Sequence, residues 1–158
     1  MIYTDQQLIE KIRKVIIDFE DEVVEFKEAR TNYSFKDIGK YFSALGNEAN
    51  IRGFKEAWLI FGVTNKKEIV GTAYRQDGNL QNLKKEIVGG TNERATFMEI
   101  YEVNMDGHRI VAFQIPPATR GIPRTWNGAA YAREDENYKS SANGQGGLNK
   151  KSGWSRLV

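Results

Sequence analysis

Apolar residues along this chain fall into two periods that alternate from segment to segment. Leu8, Ile9, Ile12, Val15 and Ile16 recur at helical spacing behind Thr4 and Asp5, either of which can cap a helix ended by Asp18 and the acids after it. Residues 22–27 read as a short strand, with Val23, Val24 and Phe26 set among carboxylates. Ser34 caps a second helix whose apolar face is Phe35, Ile38, Gly39, Phe42 and Leu45, and the polar and glycine residues of 47–53 predict its end. Residues 57–63 form a near-continuous apolar strand, Lys66-Lys67 a tight turn, and 68–72 a returning strand.

Further on, Leu80, Leu83 and Ile87 predict a third helix over 79–88, stopped by Gly89-Gly90. Residues 95–103 and 109–115 predict a hairpin about Asn104-Met105-Asp106-Gly107, and Pro116-Pro117 breaks its second strand. Residues 125–133 predict a last strand, with Asn127-Gly128 as a turn or a bulge. The expected class is α+β, a mixed and mostly antiparallel sheet packed with about three helices. Residues 1–137 are expected to form one domain. Residues 138–158, rich in Ser, Gly, Asn and Lys with Trp154 the one aromatic anchor of the stretch 139–158, are expected to be a flexible end or a linker to further C-terminal domains of a longer protein.

Composition narrows the chemistry. The 158 residues contain no cysteine, which removes disulfides, thiolate zinc sites and a cysteine nucleophile. The sole histidine, His108, follows a hairpin turn with no second ligand beside it, so zinc and a histidine-based serine hydrolase both lack support. Gly144-Gln145-Gly146-Gly147 lacks the Lys-Ser/Thr of a phosphate loop and reads as linker. No apolar run approaches the ~20 residues of a membrane span, and a cytoplasmic protein without membrane contact is expected.

The net charge of +2 is unevenly spread: residues 1–136 hold 19 basic and 21 acidic side chains, so the body carries −2. Residues 18–28 carry six carboxylates and one lysine, whereas 119–133 carry Arg120, Arg124 and Arg133 with no acid. Such segregation, more than the total, governs phosphate binding. Glu25-Phe26-Lys27 places a carboxylate and a lysine on one strand face, since side-chain period is two. That pair suits either a solvent-facing acidic edge or a divalent-metal site with a lysine helper. A basic surface is expected from Arg75, Lys84, Lys85, Arg94, Arg120, Arg124 and Arg133, with Trp126 or Tyr131 stacking on an unpaired base.

The sequence Glu20-x4-Glu25-Phe26-Lys27, then Ile38-Gly39-Lys40-Tyr41-Phe42-Ser43-Ala44-Leu45-Gly46-Asn47, then Leu59-Ile60-Phe61-Gly62-Val63, resembles the Schlafen AlbA-like domain, once called a divergent AAA domain. Ile69-Val70-Gly71, Ile115-Pro116-Pro117 and Ala130-Tyr131-Ala132-Arg133 extend the resemblance across 18–135. It implies an α+β fold and a nucleic-acid role, on DNA or structured RNA, as in N-terminal modules of bacterial transcriptional regulators or defence proteins. The alternative it implies is a metal-dependent endoribonuclease, with Glu20 and Glu25 as two of three acids, Lys27 as electrostatic helper and Mg²⁺ or Mn²⁺ as cofactor. The acids that usually follow the Gly-Val of the central strand are here Thr64 and Asn65, so Asn65 would have to complete the metal set through its amide oxygen. The family's short Gly-Gly link is replaced by 48–56, which carries Arg52 and Lys55. A third reading is a protein-interaction module, for which a homodimer is the simplest partner arrangement.

Overall fold

A computed structural model describes residues 2–18, 22–133 and 153–157. Helix α1 (Asp5–Ile17) begins at a capping box in which the Gln7 N–H donates to Thr4 Oγ1 (3.1 Å) and the Thr4 N–H to Gln7 Oε1 (2.9 Å). Strand β1 (Val24–Lys27) follows, then α2 (Phe35–Arg52) and β2 (Ala57–Phe61). A short helix α3 (Leu83–Glu86) runs into a 3₁₀ turn over Ile87–Gly90. Strands β3 (Glu99–Met105) and β4 (His108–Ile115) form a hairpin, as do β5 (Thr125–Trp126) and β6 (Ala129–Arg133), and β7 (Ser155–Leu157) comes last. The fold is α+β, as the alternation of periods predicts.

One sheet has the order β1-β2-β4-β3, with β1 parallel to β2 and the other pairs antiparallel; the other has the order β5-β6-β7. Every residue of β2 is buried because the strand is central and both its faces are covered. Trp58 and Ile60 face Leu8, Ile12 and Val15 of α1, whereas Leu59 and Phe61 face Ile38, Phe42 and Leu45 of α2. Each such side chain contributes about 1.5–3 kcal/mol on full burial. Glu56 fastens the N-terminal segment to the sheet, accepting from Tyr3 Oη (2.6 Å), Trp58 Nε1 (3.1 Å) and Gln114 Nε2 (2.9 Å). Helix α2 packs against the first sheet on one side and the β5–β6 hairpin on the other.

Several boundaries differ from expectation. Helix α2 ends at Arg52, inside the predicted closing stretch 47–53, and Gly53 caps it in the left-handed region (φ 75°), but the first residues of that stretch are still helical. Asn47 and Glu48 are buried against β6 rather than solvated, so their polarity is no stop signal. The third helix is only four residues long, because Asn79 is left-handed (φ 67°) and the chain before it runs in turns. The 68–72 return reduces to a single bridge between Val63 and Ile69. The β3–β4 turn is the pair Asp106-Gly107, both at positive φ (54° and 83°), so Met105 pairs with His108 inside the ladder. Asn127-Gly128, at φ 49° and 90°, is a turn of the same kind and not a bulge. Most of the expected tail lies outside the described residues; its end, β7, pairs in parallel with β6, and Leu157 packs against the core. No helix among the described residues is long and apolar enough to cross a membrane.

Candidate functional site: a charged seam between β1 and β6

The α2 motif serves as a bed for the β5–β6 hairpin. A Cβ on Gly39 would lie 2.0 Å from the Trp126 indole, and one on Gly46 would lie 2.1 Å from Arg124 Nη1. Glycine costs about 1 kcal/mol in a helix interior, so its use twice here reflects the close approach of the hairpin. Between the two glycines, Ser43 Oγ donates to the Arg124 carbonyl (2.8 Å) and accepts from the Tyr131 N–H (3.1 Å). Asn47 Nδ2 donates to the carbonyls of Arg124 (3.0 Å) and Tyr131 (3.1 Å), while its Oδ1 accepts from the Arg124 N–H (2.7 Å). The helix thereby fixes where β6 runs and where Arg133 emerges.

Arg133 crosses from β6 to the edge strand. It donates to the Val24 carbonyl, which an edge strand leaves without a neighbouring strand, and to Glu25 Oε1 (3.2 Å). Its Nη2 lies 2.7 Å from Glu48 Oε2, which also accepts from Arg52 Nη1 (3.2 Å). Glu25 and Lys27 point to the α2 side of β1, paired with Leu59 and Phe61, and Lys27 Nζ is 3.4 Å from Glu25 Oε2. Lys27 also sits over the Tyr41 ring at 4.8 Å, and Lys40 over the Tyr131 ring at 5.7 Å with Asp37 at 3.9 Å. Among the described residues four cations (Lys27, Lys40, Arg52, Arg133) thus meet three carboxylates (Glu25, Asp37, Glu48). Burial works against the charge on Lys27, but Tyr41 and Glu25 outweigh it and hold the ammonium above its ordinary pKa. Burial also pushes the Tyr41 phenol up, opposed in part by Lys27. The lysine is therefore a permanent cation.

The family model for Schlafen, AlbA_2 matches residues 20–142. The chain belongs to that family. The DIP2311 protein from Corynebacterium diphtheriae superposes with a TM-score of 0.51 at 17% identity, over 77% of this chain and 24% of its own. The chain thus spans about a quarter of that protein, and the likeness is one of fold. The N-terminal domain of a RecG-related protein from Nitrosomonas europaea gives a TM-score of 0.45 at 18% identity, covering 85% of this chain and 91% of that domain. No curated protein matches the chain.

In this Schlafen AlbA_2 chain the anticipated site residues separate into groups. Glu25, Lys27, Tyr131 and Arg133 come together in the seam. Arg124 and Trp126, expected at a phosphate surface, are 1% and 4% exposed and belong to the core. The correction has a plain cause: each guanidinium nitrogen of Arg124 is already spent. Its Nε meets Glu93 Oε1 (2.7 Å), Nη1 the Pro116 carbonyl (2.8 Å) and Nη2 that of Pro117 (3.1 Å). Arg75 is bound to Glu86 (2.8 Å) and the Asn79 carbonyl (2.8 Å), and Lys84 to Glu99. Lys85, Arg94 and Arg120 are exposed, Arg120 on the opposite end of α2 from Lys27. Asn65 is exposed on the turn after β2, and Glu20 lies outside the described residues. His108 is exposed at the start of β4.

Lys40, Tyr41, Glu48 and Arg52 also line the seam and were not anticipated. Glu48 carried a usable signal: it continues the inward stripe of Tyr41 and Leu45 at helical spacing, where a carboxylate requires a cation.

Proposed function

We propose that this Schlafen AlbA_2 domain binds nucleic acid through the β1–β6 seam, with Lys27 and Lys40 meeting phosphates and Tyr131 offering an aromatic face. The observation that carries this reading is that both oxygens of Glu25 are engaged by cations, Lys27 on one and Arg133 on the other. A carboxylate so engaged orients positive side chains, and among the described residues the seam holds four cations to three carboxylates, with Lys27 and Lys40 partly exposed and braced on aromatic rings. Bacterial regulators or defence proteins are the setting the family suggests, with DNA or structured RNA as ligand.

The described residues favour the binding reading over the metal-dependent ribonuclease, whose Glu20 lies outside them. Glu25 would have to give up both ion pairs, Asn65 stands on an exposed turn, and no group of three potential ligands from His, Cys, Asp and Glu occurs among the described residues. The proposal is tested by fluorescence anisotropy with labelled structured RNA, single-stranded RNA and duplex DNA over a salt series, with Mg²⁺, Mn²⁺ or chelator. Binding should survive chelation and weaken with salt, and Lys27→Ala with Lys40→Ala should lower the slope of log affinity against log salt by about one per lysine. Metal-dependent cleavage lost in Glu25→Ala would replace this reading with the ribonuclease. A stable dimer that binds none of the three would replace it with a protein-interaction role.

A further inference from the structure

Beyond the seam, a cleft of ≈ 610 Å³ opens at the C-terminal end of α2, between its last turn and residues 120–123. Its lining includes Asn50, Arg52, Arg120, Ile122, Pro123 and Trp154, and among the described residues no carboxylate. Trp154 is half-buried and Ile122 is 51% exposed, so flat apolar surface faces the opening. Arg120 has no carboxylate partner among the described residues. It stands at the corner of a turn that Gly121 permits at φ 84°, closed by the Ile122 N–H to the Thr119 carbonyl (2.9 Å).

The loop wall is held from behind. Thr119 N–H and Oγ1 donate to Glu93 Oε2 (2.8 and 2.5 Å), whose other oxygen holds Arg124, and Asn92 Nδ2 donates to the Pro123 carbonyl (3.0 Å). Arg124 therefore braces the loop that presents Arg120. The helix end carries partial negative charge, which Arg52 in the last turn offsets, so an anion is better placed on the Arg120 side. The cleft also continues the seam, because Glu48 Oε2 accepts from Arg133 on one side and Arg52 on the other. Tyr41 and Arg52 are eleven residues apart on one helix, about 16 Å at its rise per residue, a span of a few nucleotides.

An aromatic plane with aliphatic neighbours calls for a flat ring, and a guanidinium without a carboxylate calls for an anion. One molecule that supplies both is a nucleotide, and the volume lies within the range of about 300–1,000 Å³ usual for ligand sites. We propose that the cleft takes one unpaired base of a single-stranded nucleic acid, stacked on Trp154, with the adjoining phosphate on Arg120. The inference rests on the nucleic-acid reading of the seam and extends it by assigning the strand state: an unpaired segment follows α2 from Lys27 to Trp154.

The test uses the whole chain with a labelled unstructured 12-nucleotide RNA, the same sequence as single-stranded and duplex DNA, and a free nucleoside monophosphate. Single strands should quench tryptophan fluorescence, and Trp154→Leu should abolish that quench. Stacking on one side chain corresponds to roughly a five- to hundredfold change in affinity. Single-strand affinity should fall by that order in Trp154→Leu and by several-fold in Arg120→Ala, Trp154→Phe should stay near wild type, and duplex affinity should be unchanged in all three. Circular dichroism confirms that each variant is folded. Wild-type binding that ignores both Trp154 and Arg120 would overturn the cleft and leave the seam standing, whereas no salt-dependent binding to any strand would overturn both. Binding of the free monophosphate with no single-strand binding would overturn the strand assignment.

Discussion

Arg124 and Arg133 flank one hairpin, carry the same side chain and lie in a stretch, 119–133, that holds no acid, yet they do opposite things. Arg124 is 1% exposed and its guanidinium is enclosed by Glu93 and by the carbonyls of Phe42, Pro116 and Pro117. Burial lowers its pKa and Glu93 opposes that shift. Arg133 lies at the rim, where it bridges Glu25 and Glu48 beside half-exposed Lys27. What separates them is the number of carbonyls within reach. Surrounded by main-chain acceptors, a guanidinium becomes part of the scaffold; surrounded by carboxylates at an edge, it sets the charge of a surface.

The comparison is most severely broken at the buried arginine. Arg124→Met should lower stability by about 3–5 kcal/mol, the usual cost of leaving one member of a buried pair alone. Urea denaturation measures this, and a loss below 1 kcal/mol would show that Arg124 is not part of the scaffold. Glu93 adds a pH signature. Burial pushes its carboxyl up, but hydrogen bonds from Thr119 and Arg124 outweigh this and leave it below the ordinary range. Its contribution is therefore complete above the unfolded glutamate value of about 4.3 and is lost as pH falls through the lower folded value. The stability gap between wild type and Glu93→Gln should be full at neutral pH and close under acid, as read by urea midpoints across a pH series.

Next in size is Gly39→Ala, whose Cβ would meet the Trp126 indole. Overpacking of this kind costs about 1–3 kcal/mol, and thermal unfolding should show it with nucleic-acid affinity per folded molecule retained. Arg133→Gln should cost about 1–2 kcal/mol, because Glu48 keeps Arg52, while weakening binding through the reoriented seam. The smallest stability effect belongs to Lys27→Ala, within about 0.5 kcal/mol, since the lysine is partly exposed and its ion pair is weak. Its effect should appear in the salt slope. A variant that lost stability but kept its slope would place Lys27 with Arg124 and erase the distinction.

Much of the fold could be read directly. The stripe Leu8, Ile12, Val15 is buried as a helix face, and the near-continuous apolar run of 57–63 becomes a strand, Ala57–Phe61, sharing its side chains between two cores. Thr4 and Ser34 cap where their side chains suggest. The structure departs from the sequence pattern where polar residues are interior. Asn47 and Glu48 look like a helix end and are interior, because acceptors and donors from the β5–β6 hairpin meet them there. Within the site, the common face of Glu25 and Lys27 followed from strand period alone. Lys40, Tyr41, Glu48 and Arg52 did not, because they reach the seam only through the placement of α2 between the two sheets.

By itself the sequence determined the local periods, the caps, the tight turns, the α+β class and the clustering of acids and arginines, since each depends on near neighbours and side-chain type. Only the tertiary structure decided which arginine is scaffold and which is surface, that Trp126 lies between Gly39 and Gly90 while Trp154 lines a cleft, and that Glu25 is engaged on both oxygens. The reason is physical. A charged side chain takes its role from the acceptors and solvent around it, and those are brought by elements as remote in sequence as β1, α2 and β6.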